Sequence, residues 1–153
     1  VMELLPQEYR SQDLKPVGRL DKATEGLLLF TNDGDFAAQV SHPSSQIEKE
    51  YVVETVSPIP QDLVDRFCRG IRIEGVFYRC LSARLVHPRR LVVVLVEGKN
   101  REIRRVFQHF GVSIRRLTRV RIGNLSLDGL EEGRFRELDA SQVADLLALC
   151  NRN

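Results

Sequence analysis

The clearest periodic signal in the chain lies at residues 100–111, NREIRRVFQHFG. Ile103, Val106, Phe107 and Phe110 recur at i, i+3, i+4 and i+7 and predict an amphipathic helix, capped by Asn100 and ended by Gly111. Leu63, Val64, Phe67 and Cys68 share one side of a second helix that begins at Pro60 and stops at Gly70. Val143, Leu146, Leu147 and Cys150 repeat the spacing in a final helix, SQVADLLALC. The period changes to two in KEYVVETV, a half-buried strand with Tyr51 and Val53 on one face. RLVVVLVE is apolar on both faces and therefore an interior strand. IRIEGVFYRCLSARLV reads as a hairpin around Glu74-Gly75, and RVRIGNLSL as a strand or hairpin. Upstream, PVGRL and GLLLF are two short strands joined by DKATE. TNDG is a turn, and Asp35 is placed to cap a short helix, DFAAQVSH, that stops before Pro43.

Hairpin-rich strands with interspersed helices predict an α+β fold with a mainly antiparallel sheet. The order is not the βαβ alternation of a dinucleotide-binding domain, and neither GxGxxG nor GxxxxGK[ST] occurs, so no nucleotide cofactor is expected.

Composition narrows the class further. Hydrophobic residues make up 42% and charged residues 29% of the 153 positions, a globular balance. No run approaches the ~18 apolar residues of a membrane helix. VMELLPQEYR lacks the basic start and apolar stretch of a signal peptide. Cys68, Cys80 and Cys150 form no CxxC pair, which fits reduced thiols in a cytoplasmic protein. With His42, His87 and His109 far apart, no metal site is expected.

Net charge is only +2, but its distribution is uneven. Between Lys99 and Arg121 there are eight Lys and Arg against one acid, Glu102, whereas residues 128–145 are predominantly acidic. The basic block suits either a polyanion-binding face or an ordinary solvated one. Within it, Arg101, Arg104 and Arg105 crowd the start of a helix, where the macrodipole already presents positive charge and each costs a few tenths of a kcal/mol unless an anion compensates. Asp21, between Arg19 and Lys22 in VGRLDKATEG, suits a cap, an Asx-turn or a surface ion pair. It equally suits a nucleophile presented at a strand end to an anionic substrate. Tyr51 is a cross-strand packing residue or a platform for stacking a base.

GRLDKATEGLLLFTNDG, KEYVV, and GKNREIRRVFQHFG followed by LTRVRIGNLSL occur in that order across residues 17–127. Together they resemble the catalytic core of the ribosomal-RNA pseudouridine synthases of the Rsu/Rlu class. The resemblance implies a mixed, mainly antiparallel central sheet flanked by helices, with an RNA-binding cleft. It implies conversion of a specific uridine in ribosomal RNA to its C-glycoside isomer, with no cofactor and no metal. By motif position the catalytic aspartate falls on Asp21 and the active-site aromatic on Tyr51. The arginine that pairs with the aspartate falls on Arg104, with Arg105 as the alternative within a short arginine-rich run. Arg19 fills the space left by an extruded uridine or grips its phosphate, and Lys22 also serves the RNA. Lys99, Arg101, Arg105, Arg119 and Arg121 track the backbone.

Members of this class usually carry a small RNA-binding domain and an Asn/His-Lys-Pro strand ahead of the catalytic core. VMELLP lies close to where that strand has ended. The expectation is one catalytic domain, residues 1–153, resembling an N-terminally trimmed fragment. The competing reading is a noncatalytic RNA-binding or ribosome-assembly module using the basic block alone. A carboxylate glycosidase is a third, but it needs a second catalytic acid and no partnered Asp/Glu motif stands out.

Overall fold

The structure is a computed structural model that describes residues 4–99 and 101–150. A one-turn helix, α1 (Gln7–Arg10), precedes β1 (Lys15–Val17), β2 (Glu25–Gly26) and β3 (Leu29–Thr31). Helix α2 (Gly34–Ser41) and a 3-10 turn (Pro43–Ser45) lead into β4 (Lys49–Thr55). Then come α3 (Gln61–Arg69), β5 (Ile71–Ile73), β6 (Val76–Tyr78), β7 (Ser82–His87) and β8 (Arg90–Leu95). Helix α4 (Glu102–His109), β9 (Ile114–Ile122), β10 (Leu125–Ser126) and α5 (Ala140–Cys150) complete the order.

The main sheet runs β10-β9-β4-β8-β7, all antiparallel, as the hairpin-rich pattern predicts. Its mixed character comes from β2, which lies parallel to β9 with Glu25 opposite Thr118 and Gly26 opposite Arg119. Strand β9 is therefore paired with β4 along one side, and with β2 and then β10 along the other. The stretch GLLLF is consequently not one strand. Gly26 belongs to β2, whereas Leu29 and Phe30 belong to β3, which pairs with β1 in a separate ribbon. The chain leaves one sheet for another in the middle of an apolar run, and local pattern does not mark the crossing.

Two apolar clusters divide the interior. In the first, Leu63 and Phe67 of α3 and Ile103, Val106 and Phe107 of α4 pack on Val53, Leu91, Val93 and Leu117 of the sheet. Each fully buried side chain of that size contributes about 1.5–3 kcal/mol. The second joins Val17, Leu27, Leu29, Phe36, Val40, Ile122, Leu125 and Leu146. Asp33, not Asp35, caps α2: its carboxylate accepts the Asp35 and Phe36 amides at 3.0 and 3.2 Å, while Thr31 Oγ1 accepts the Asp33 amide. Asn100, expected to cap α4, lies outside the described residues, and Arg101 stands at the N-cap position with φ +52°.

Cys68, Cys80 and Cys150 are free thiols. Among the described residues no helix is long and apolar enough to cross a membrane.

Candidate active site

Asp21 sits in a turn, closed by the Thr24 amide donating to the Asp21 carbonyl at 2.8 Å, that leads into β2. That turn is anchored from below. Leu27 donates its amide to the Arg119 carbonyl at 2.8 Å, and the Arg119 guanidinium donates back to the Leu27 carbonyl from Nε and Nη2 at 3.0 and 2.7 Å. Gly26 makes this approach possible, because a Cβ there would lie 2.1 Å from the Arg119 carbonyl oxygen.

The turn faces the start of α4 across a cleft of about 690 Å³. From the far wall, Arg104 Nε lies 3.3 Å and Arg101 Nε 3.4 Å from the same oxygen, Asp21 Oδ2. Arg104 is the better held of the two: its side chain is 18% exposed against 53% for Arg101, and its Nη2 donates to the Ala23 carbonyl at 2.8 Å. One guanidinium thus pairs by charge with the carboxylate, its Nε making no hydrogen bond there, and is directed by its donation to the backbone of the same turn. Arg105 lies one residue on and is exposed, because Ile103, Val106 and Phe107 commit the opposite side of α4 to the core. Of the two arginines left open by the sequence, Arg104 is the one against Asp21.

Tyr51 projects from β4 into the same cleft, with Val53 two residues on in the first core cluster. Opposite it on β9 is Arg119. Burial holds the Arg119 guanidinium below the usual arginine range, and the neighbouring Tyr51 phenol works in the opposite direction.

The remaining cations separate into groups. Arg19, Lys22 and Arg101 are exposed at the cleft, and Lys99 lines it while paired with Glu97 at 3.1 Å and donating to the Phe77 carbonyl. Arg119 does not fit the expected role of tracking an RNA backbone. It is 4% exposed and spends its donors on Leu27, so it supports the Asp21 turn instead. Arg121 does not fit either. It is held by Glu48 and Glu50 at 3.0 and 3.4 Å and by the Gly123 carbonyl, beside a separate hollow of about 430 Å³. An arginine at a buried or paired register of RVRI looks the same in sequence as an exposed one.

Two contributors escaped the sequence reading. Lys49 lines the cleft two residues before Tyr51, and burial, then Arg119, lowers its ammonium from the usual lysine range. The alternation of KEYVV already placed it on the Tyr51 face. Glu102, read only as the lone acid in a basic block, is buried at 3% exposure. Among the described residues no three His, Cys, Asp or Glu come together to hold a metal.

Comparison with known proteins meets this geometry directly. The sequence matches the family model described as RNA pseudouridylate synthase over residues 1–109. The chain belongs to that family. An uncharacterized RNA pseudouridine synthase from Borreliella burgdorferi is 39% identical over 130 residues, covering 85% of this chain and 52% of its own. The ribosomal large subunit pseudouridine synthase B of Vibrio cholerae is 40% identical over 148 residues, covering 94% and 46%. A crystal structure of a pseudouridylate synthase superposes with a TM-score of 0.86 at 27% identity, covering 94% of this chain and 64% of that one. The pseudouridylate synthase fold, a mixed and mainly antiparallel sheet with flanking helices, is therefore that of this chain. It spans about half the length of the curated relatives it matches.

Proposed function

We propose that residues 1–153 form the catalytic domain of an RNA pseudouridine synthase that isomerises a uridine in ribosomal RNA, with Asp21 as the nucleophile. The observation that carries this reading is the Asp21 carboxylate at 3.3 Å from Arg104 and 3.4 Å from Arg101, facing Tyr51 across one cleft. Family membership and the relatives' names support it.

The chemistry asked of these groups is an internal transfer. The bond from uracil N1 to the sugar C1′ breaks, the base turns, and a bond from C5 to C1′ forms. The hydrogen on C5 is lost as a proton and N1 gains one, so atoms and oxidation state are unchanged. A carboxylate serves this reaction by attacking C1′, as in a retaining glycosidase, by attacking the pyrimidine ring, or by assisting deprotonation of the sugar. In each case Arg104 aims the carboxylate, and its second donor on Ala23 keeps the turn from swinging away. Tyr51 stacks against the uracil and relays a proton through its hydroxyl. A uridine in structured RNA is extruded first. Arg19, Lys22, Arg101 and Arg105 then meet the phosphates on either side, an attraction that weakens with salt.

Replacing Asp21 with Asn keeps the shape and removes the nucleophile. The expected result is loss of pseudouridine formation on ribosomal RNA with near wild-type folding and RNA affinity. Pseudouridine mapping after incubation with each protein checks it, and wild-type turnover by the variant overturns the assignment.

A further inference from the structure

The turn that carries the two arginines is held by an unusual contact. Glu102, the first residue of α4, is 3% exposed, and among the described residues neither of its carboxylate oxygens makes a well-formed hydrogen bond. Its neighbour is the carboxyl of Glu97, just beyond the end of β8, whose Oε1 is likewise buried and unpaired. The Glu97 side chain as a whole is 35% exposed, so the pair is buried on the Glu102 side alone. Two ionised carboxylates meeting there still repel, so only one of them holds its charge without a proton between them.

We propose that Glu97 and Glu102 share one proton, and that this makes Glu102 a positioning residue for the arginines that hold Asp21. The second half of the proposal rests on the role assigned to Asp21 above.

The groups around the pair fit. Lys99, from the intervening turn, supplies one positive charge, 3.1 Å from Glu97 Oε2, enough to balance one carboxylate and not two. That ammonium is also fastened to the Phe77 carbonyl at the end of the β5–β6 hairpin. After β6, the Arg79 backbone and the buried Cys80 thiol face Glu102, and Cys80 is backed by Cys68 of α3 at 3.7 Å. Arg101 and Arg104 leave the same helix start toward Asp21. Burial first, and Glu97 second, lift the Glu102 carboxyl to about 8, while Lys99 opposes the rise.

The contact is positional because of where it sits in the chain. Arg101 holds a left-handed φ of +52°, which a non-glycine residue keeps only where its surroundings fix it. It stands directly before Glu102, with Arg104 two residues beyond. When the shared proton leaves, the two carboxylates separate and take with them the turn that aims both guanidinium groups.

Carbon-13 NMR on protein labelled at the Asp and Glu carboxyls tests this from about pH 5 to about pH 9, a range that brackets the ordinary and the raised carboxyl titrations. The expected result is a glutamate carboxyl titrating near 8 that disappears in Glu102→Gln, whose amide donates to Glu97 without titrating. The Asp21 resonance should move with the same midpoint in the wild type and stay still in the variant. If Glu102 titrates in the ordinary carboxylate range, the shared proton is refuted. If Glu102 titrates high but Asp21 does not follow it, the positioning role is refuted. Single-turnover rates on RNA add a separate arm: a wild-type fall of about tenfold per pH unit above the midpoint, absent in Glu102→Gln. An alkaline fall retained by the variant counts against positioning. Should wild-type protein isomerise no uridine, the proposed function fails while the NMR titrations still decide the proton and its link to Asp21.

Discussion

Replacing Gly26 with Ala puts the anchoring of the Asp21 turn to the sharpest test. At φ +111° the backbone of Gly26 is in a region that side chains rarely adopt, and an added Cβ would lie 2.1 Å from the Arg119 carbonyl oxygen and 2.7 Å from its nitrogen. Both are main-chain atoms of an interior strand and have no rotamer by which to move aside. The local strain is about 1–3 kcal/mol. Moving β2 off β9 also loses the 2.8 Å bond from the Leu27 amide, about 1 kcal/mol net. It loosens the Arg119 donors from the Leu27 carbonyl as well, and hydrogen bonds to charged groups contribute about 1.5–3 kcal/mol. A destabilisation of at least about 3 kcal/mol is expected, the lower ends of these ranges taken together.

Urea unfolding followed by circular dichroism measures it as a lower midpoint at unchanged slope. Gly34→Ala is the control, because Gly34 opens α2 with nothing within 4 Å of an added Cβ. It should be neutral or stabilising by up to about 1 kcal/mol. A Gly26→Ala protein within about 0.5 kcal/mol of wild type, the range of ordinary surface substitutions, would show that the close approach of β2 to β9 does not anchor the turn.

Two further outcomes follow from the cleft. Arg104→Lys keeps the charge but loses the fork that joins Asp21 to Ala23, so single-turnover isomerisation should slow by about a hundredfold, the usual cost of a misplaced reacting group. Arg105→Lys should change it only a few-fold, and equal losses in the two variants would refute the choice between them. The second outcome concerns pH. Glu102 has a folded-state carboxyl raised from its ordinary value to about 8, so between those values the folded chain holds a proton that the unfolded chain has released. Its contribution is therefore fully present at low pH and declines as pH rises toward 8, by on the order of a few kcal/mol at most. Thermal melts across that window should show a falling midpoint in the wild type and a flatter one in Glu102→Gln.

The parts of the fold legible in the sequence are those with a local cause. Period-3.6 apolar residues produced α3 and α4, alternation produced β4, and Glu74-Gly75 turned the β5–β6 hairpin where expected. Asp33 was missed as a cap because TNDGD offers two aspartates, and the choice depends on Thr31 taking the Asp33 amide. The split of GLLLF depends on β9, which lies some ninety residues further along the chain. Asp21, Tyr51 and Arg104 were singled out through their motifs and line one cleft, whereas Lys49, on the same cleft, was legible from alternation and overlooked. The Glu97–Glu102 contact leaves no trace in composition. Nothing in GKNRE distinguishes a solvated glutamate from one buried against a second carboxyl.

The sharing of β9 among three partners has a consequence for the order in which the protein comes into being. During synthesis the Asp21 turn emerges before its anchor, because Arg119 follows Leu27 by 92 residues. Until β9 has left the ribosome the turn has neither its backbone tether nor its floor, and α4 has not been pressed against it. For that interval the carboxylate is an ordinary solvated acid, and the cleft assembles only once β9 has joined β2 and β4.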